Sequence, residues 1–73
     1  MSARSRLIAK ANRLWAASLE SVDRELFIVY NKPRLAQLHR AAGRGSTWAL
    51  AQARALQAKI DACRKVGRLK AVQ

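Results

Sequence analysis

The sequence predicts an all-α domain of three helices, on three observations. From Leu7 to Tyr30 apolar residues recur at steps of three and four, the spacing that stacks side chains on one helix face. Asn31-Lys32-Pro33 and Gly43-Arg44-Gly45 break the pattern twice. The one strand-prone run, Leu26-Phe27-Ile28-Val29-Tyr30, has no second run to pair with, so no sheet is expected.

Residues 1–5 are a polar lead in which Ser2 or Ser5 can cap the first helix. That helix starts near Arg6. Its apolar stripe is Leu7, Ile8, Ala11, Leu14, Trp15, Leu19, Val22, Leu26 and Val29, with Arg6, Lys10 and Arg13 opposite. The block from Glu20 to Glu25 carries three of the four acids. Either the helix runs through it, or Ser21 caps a new helix with Asp23 and Glu25 near its N-terminus. The stripe keeps its phase across the block, which favours one long first helix. Leu14, Trp15, Leu19 and Leu26 are then its anchors, in the core or in a core that a partner completes. Adding Phe27 and Ile28 makes its far end apolar on more than one face, as in a core or a partner patch.

Asn31-Lys32-Pro33 is expected to end that helix, because a proline disfavours helical geometry in the residue before it and suits the first turn of the next. A short second helix follows from Pro33 to Ala42, with Leu35, Leu38, Ala41 and Ala42 inward. Gly43 suits its C-terminal end. Ser46 or Thr47 caps a third helix to about Val66, with Ala53, Leu56, Ile60 and Cys63 on its main stripe. Its many alanines favour helix and permit close approach. The whole chain reads as one domain, with residues 1–5 and 67–73 as flexible basic ends.

Composition narrows the function. A chain of 73 residues buries only about 60% of its unfolded surface. Its one cysteine, Cys63, excludes an internal disulfide, and one Cys with one His argues against zinc. No cofactor is expected. Lys and Arg number 15 against 4 Asp and Glu, a net charge of +11. Such an excess favours a polyanionic partner. Four aromatics are too few for a base-stacking platform. No run approaches the ~20 apolar residues of a membrane span. The N-terminus lacks a signal-peptide core. It resembles a mitochondrial presequence, being amphipathic and free of acid until Glu20.

No catalytic constellation stands out, and a non-enzyme is expected. His39 is alone on a short helix, and Cys63 continues an apolar stripe. Gly43-Arg44-Gly45-Ser46-Thr47 lacks the lysine and the preceding strand of a phosphate-binding loop, so it is a helix connector. Trp15 and Trp48 occupy apolar positions and serve as core anchors, or as docking residues where exposed. The basic residues gather as Arg4, Arg6, Lys10 and Arg13 at one end and Arg64, Lys65, Arg68 and Lys70 at the other. With Arg44 in the turn, these are the expected phosphate contacts. Trp15, Glu20, Asp23, Glu25, Phe27 and Tyr30 are the expected contacts to a protein partner.

A very small, basic, Ala- and Arg-rich helical chain without catalytic residues resembles phage-encoded regulators of bacterial RNA polymerase. The resemblance covers size and composition, with Leu7 to Tyr30 as the docking-competent element. It implies binding near the RNA exit channel, interference with sigma-dependent initiation and suppression of termination. It carries over no individual residue. The expected compartment is the cytoplasm of a bacterial host, with the mitochondrial matrix as the alternative. Two other readings fit the composition: a small basic subunit of a ribosome or mitochondrial complex, and a helix-turn-helix DNA-binding repressor.

Overall fold

The computed structural model describes residues 2–71, and among these every regular element is a helix. Helix α1 spans Ala3–Ser18, α2 Ser21–Gly43 and α3 Thr47–Ala71. Ser2 caps α1, its Oγ accepting from the Ser5 backbone N–H at 3.1 Å. Ser46 does the same for α3, accepting from the Ala49 N–H at 3.1 Å. Gly45 turns the chain between α2 and α3 at a φ of 102°, in the region that favours glycine.

The first long helix does not exist as the periodicity predicts. Leu19 and Glu20 are extended, with ψ of 148° and 159°. The Ser18 hydroxyl donates to the Trp15 carbonyl at 2.6 Å, a local bond that competes with the helix ladder. Glu20 then stands at the N-cap of α2, although its side chain makes no capping bond, and Asp23 lies in the first turn. The break resets the helical phase. Ala16 is buried and Ala9, Asn12, Trp15 and Leu19 half-buried, whereas Leu7, Ile8, Leu14, Val22 and Leu26 are exposed. Leu14 and Leu26 are therefore not core anchors of the single chain.

Pro33 does not end a helix either, for α2 runs straight through it. An interior proline forfeits one backbone bond and costs about 3 kcal/mol. Here Pro33 and Val29 both face outward and are exposed, so water can solvate the Val29 carbonyl left without its donor. Continuity keeps Leu35, Leu38, Ala41 and Ala42 aligned on α3. Nor does Gly67 end α3, which continues to Ala71.

Helix α3 is the centre, because it is apolar on two faces. Ala53, Leu56, Ile60 and Cys63 form the predicted stripe, which Ala49 extends toward the turn. Ala62 and Val66 lie about 100–140° around the helix and receive α1, a second face the main stripe does not reveal. Two clusters result. Near the turn, Leu38, Ala49 and Ala53 are buried with Leu35, Ala41, Ala42 and Leu56 around them. At the other end, Ala16, Ala62, Cys63 and Val66 are buried beneath Trp15, Leu19, Phe27 and Ile28. Ile60 is buried between them along α3. Trp48, an expected anchor, is 63% exposed, because α1 covers only the far half of α3.

Arg24 fastens the α1–α2 junction. It is 5% exposed, and its Nη1 donates to the carbonyls of Ala16, at 3.3 Å, and of Leu19. A cation thus covers the C-terminus of α1, sharing the Ala16 carbonyl with the Leu19 backbone N–H and taking the Leu19 carbonyl beyond it. Lys70 adds a second tie, Nζ to the Ala17 carbonyl at 2.9 Å.

The molecule is a slab whose Cα extents are 43 × 30 × 16 Å. Its radius of gyration is 13.3 Å, against about 11 Å for a compact chain of this length. Its accessible surface is 5534 Å², roughly 1,000 Å² above the scaling for a compact protein of its mass. Three helices in a thin slab cannot cover all their apolar residues.

Candidate nucleic-acid interface

Every basic residue singled out in the sequence is exposed, yet they are not equivalent. Arg6, Lys10 and Arg13 recur at steps of four and three along one flank of α1, and Arg4 falls on the opposite flank. Arg44 lies in the turn. On α3, Lys65 faces away from both neighbouring helices, and Arg68 stands at the edge of that face, toward the first turns of α2. Arg54 shares that face, eleven positions before Lys65, and so extends the ridge to about 21 Å at 1.5 Å per residue. Sequence reading by clusters missed Arg54 because it stands alone in an alanine-rich stretch. Its phase relative to Lys65 and Arg68 was the available signal.

Two of the expected phosphate contacts carry other bonds. The Lys70 ammonium is committed to the Ala17 carbonyl. Arg64 lies 4.0 Å from Asp61 in an exposed i,i+3 pair, which contributes little to stability and leaves the guanidinium accessible. Asp61 is the one acid on the α3 ridge. Lys59 sits apart from it, with Nζ 5.8 Å from the centre of the Trp15 ring.

At the slab's end, the first turns of α2 and the last turns of α3 enclose an open cleft of about 620 Å³. Arg24, Arg64, Arg68 and Lys70 line it, with Glu25 as its one carboxylate among the described residues. Cations outnumber anions there, so the cleft mouth continues the positive ridge. Cys63 lines its floor. Burial pushes that thiol above its ordinary value of 9.0, and the Arg24 charge offsets part of the rise. It is a protonated core thiol at neutral pH. His39 is exposed on α2. No three His, Cys, Asp or Glu side chains gather as a metal site among the described residues.

The expected docking residues divide. Trp15 and Phe27 pack edge-to-face at 5.0 Å and 75°, and both are half-buried against the core. They hold α1 to α2, which leaves only part of each ring at the surface. Glu20, Asp23, Glu25 and Tyr30 are exposed. A second set of α2 residues emerges instead. Val22, Leu26, Val29 and Pro33 recur at steps of four, three and four on the face opposite α3. The first three are 53%, 42% and 59% exposed.

Helices α2 and α3 form an antiparallel hairpin. One groove between them sets Phe27 and Asn31 beside Lys59, and Leu38 beside Gln52. A helix-turn-helix crosses at roughly 90–120° and frees its second helix for a groove. Here α3 lies antiparallel against α2, with Ala49 and Ala53 buried at the end that would read bases. No described helix is long and apolar enough to cross a membrane. Comparison of the chain with known protein families, curated proteins and solved structures finds no match.

Proposed function

We propose that this chain is a non-enzymatic regulator that docks on bacterial RNA polymerase and turns its basic residues toward nucleic acid. It interferes with sigma-dependent initiation, suppresses termination, or both, in the cytoplasm of a bacterial host. The observation that carries the nucleic-acid half is the ridge of Arg54 and Lys65 on the uncovered face of α3, with Arg68 at its edge. Three cations over about 21 Å match the reach of several phosphates, spaced about 3.4 Å apart per strand. The protein-docking half is supported by exposed apolar side chains on a slab with excess surface. The choice of polymerase rests on the resemblance in size and composition.

The test has two arms. Purified polymerase, with and without sigma, and purified ribosomal subunits are each passed over the immobilised chain, and promoter-dependent initiation and terminator read-through are measured with the chain added. Retention with an effect on either step supports the reading. Retention of ribosomal subunits in place of polymerase supports a structural subunit and ends it. In the second arm, Arg54, Lys65 and Arg68 are changed to Gln together. The logarithmic salt slope of nucleic-acid binding should fall by about 0.7–0.9 per lost phosphate contact. Sequence preference should hold, since phosphate contacts position without specifying. An unchanged slope would leave the ridge a solvated face.

A further inference from the structure

We propose that the outer face of α2 is a self-complementary interface, on which a second copy of this chain packs antiparallel across a two-fold axis. The surface is the stripe Val22, Leu26, Val29 and Pro33. Its residues are exposed, and they lie opposite the face that α2 turns to α3. A helix apolar on both faces is normally covered on both. The thin slab carries roughly 1,000 Å² of surface beyond a compact chain of its mass, spread over the whole molecule, which leaves room for a standard interface of ~800 Å² per partner.

The charges along α2 select the occupant. Its first turns carry Glu20, Asp23 and Glu25, and its second half carries Lys32, Arg34 and Arg40. Arg24 is turned inward and bonded, so it does not offset the acidic end. A helix acidic at one end and basic at the other complements its own antiparallel copy. An isologous contact has this form, with each patch meeting itself reversed.

Helical geometry specifies the register. Setting Leu26 against Val29 of the second copy also sets Val22 against its Pro33, so the two stripes match end to end. In a two-fold antiparallel pair each flank of the helix meets the same flank of its copy. Glu25 and Lys32 lie within about 20° on one flank, and Asp23 and Arg34 within about 20° on the other. In this register Glu25 stands about 3 Å along the axis from Lys32 of the second copy, and Asp23 about 3 Å from its Arg34. Symmetry doubles both pairs. The ridge on α3 lies across the hairpin from the stripe, so the dimer keeps two basic faces outward. Repulsion between them is screened at physiological salt, where the Debye length is about 8 Å.

The experiment is sedimentation equilibrium of the full chain without polymerase or nucleic acid, from about 1 to 200 μM, the range of modest homodimer affinity. The expected mass rises with concentration from 8.1 kDa toward twice that value. Val29→Glu should hold it at 8.1 kDa with an unchanged far-UV spectrum, since Val29 touches solvent in the free chain. Glu25→Lys should weaken the dimer about tenfold, by placing like charges together twice. Glu25→Lys with Lys32→Glu should restore it. A parent that stays at monomer mass throughout overturns the proposal. So does a dimer indifferent to Val29→Glu, or a double variant no tighter than Glu25→Lys alone. A monomeric parent whose Val29→Glu variant loses polymerase would give the stripe to the polymerase and end the proposal, while leaving the regulatory reading intact.

Discussion

Replacing Arg24 by Met should unfasten α1 from the rest of the slab. The Arg24 guanidinium is buried and donates to two carbonyls at the end of α1. Hydrogen bonds to charged groups contribute about 1.5–3 kcal/mol each. Both bonds leave from one nitrogen, and the one to Ala16 is long at 3.3 Å, so the pair is less than twice a single good bond. A cation at a helix C-terminus adds about 0.3–2 kcal/mol. Methionine fills similar volume and avoids burying a charge, which returns part of the loss. The net loss is about 2–3 kcal/mol, or roughly 8–24 °C in Tm for a domain this small. Urea unfolding at equal ionic strength, followed by far-UV circular dichroism and by tryptophan fluorescence, measures it. Arg24→Lys should fall between, because it keeps the charge on a shorter stem that reaches the two carbonyls less well. A loss below about 0.5 kcal/mol for Arg24→Met, the range of an ordinary surface change, would refute the assignment of Arg24 as the fastener.

Three further outcomes follow from the packing. Ile60→Ala should cost about 2–5 kcal/mol in urea unfolding, since Ile60 is fully buried and its removal leaves a cavity on the central helix. The folded Cys63 thiol sits above its ordinary value of 9.0 because of burial, so its contribution is whole below that pH and is lost as pH rises past it. Unfolding midpoints should therefore fall more steeply above pH 9 in the parent than in Cys63→Ala. Lys70→Gln should lower stability by about 0.5–1.5 kcal/mol through the lost bond to Ala17, whereas Lys65→Gln should stay within about 0.5 kcal/mol. Equal effects of the two would show that the Lys70 tie contributes nothing.

Much of α3 and the second half of α2 was legible, because there the stripe is simple. Leu35, Leu38, Ala53, Leu56, Ile60 and Cys63 stand where three-four spacing puts them. The first thirty residues misled for a physical reason. Continuous periodicity across Glu20 looks the same whether one helix runs through or two helices meet, and the bonds that part them come from Ser18 and Arg24. Arg24 in a charged block reads as surface, and only the path of the chain shows the carbonyls it covers. Large apolar residues outweigh alanine in any stripe, so Leu7 and Leu14 were weighted over Ala9 and Ala16, although it is Ala16 that α3 buries. Pro33 reads as a stop unless one knows that its face is wet. For the candidate interface, the positions of the basic residues were legible and their bonding was not. Lys70 and Lys65 look alike in the sequence, and one of them holds a carbonyl.

The tie between Lys70 and Ala17 joins residues 53 positions apart, whereas α2 and α3 are joined by a turn of three residues. Closing the short turn brings the hairpin's contacts together at little entropic cost, and closing the long loop costs more. The hairpin is thus expected to form first and α1 to dock after it. Having joined last, α1 is also the part best placed to leave alone. Its amide protons are expected to exchange with solvent by opening of that helix, while those of Ala53 and Ile60 wait for the whole chain to unfold.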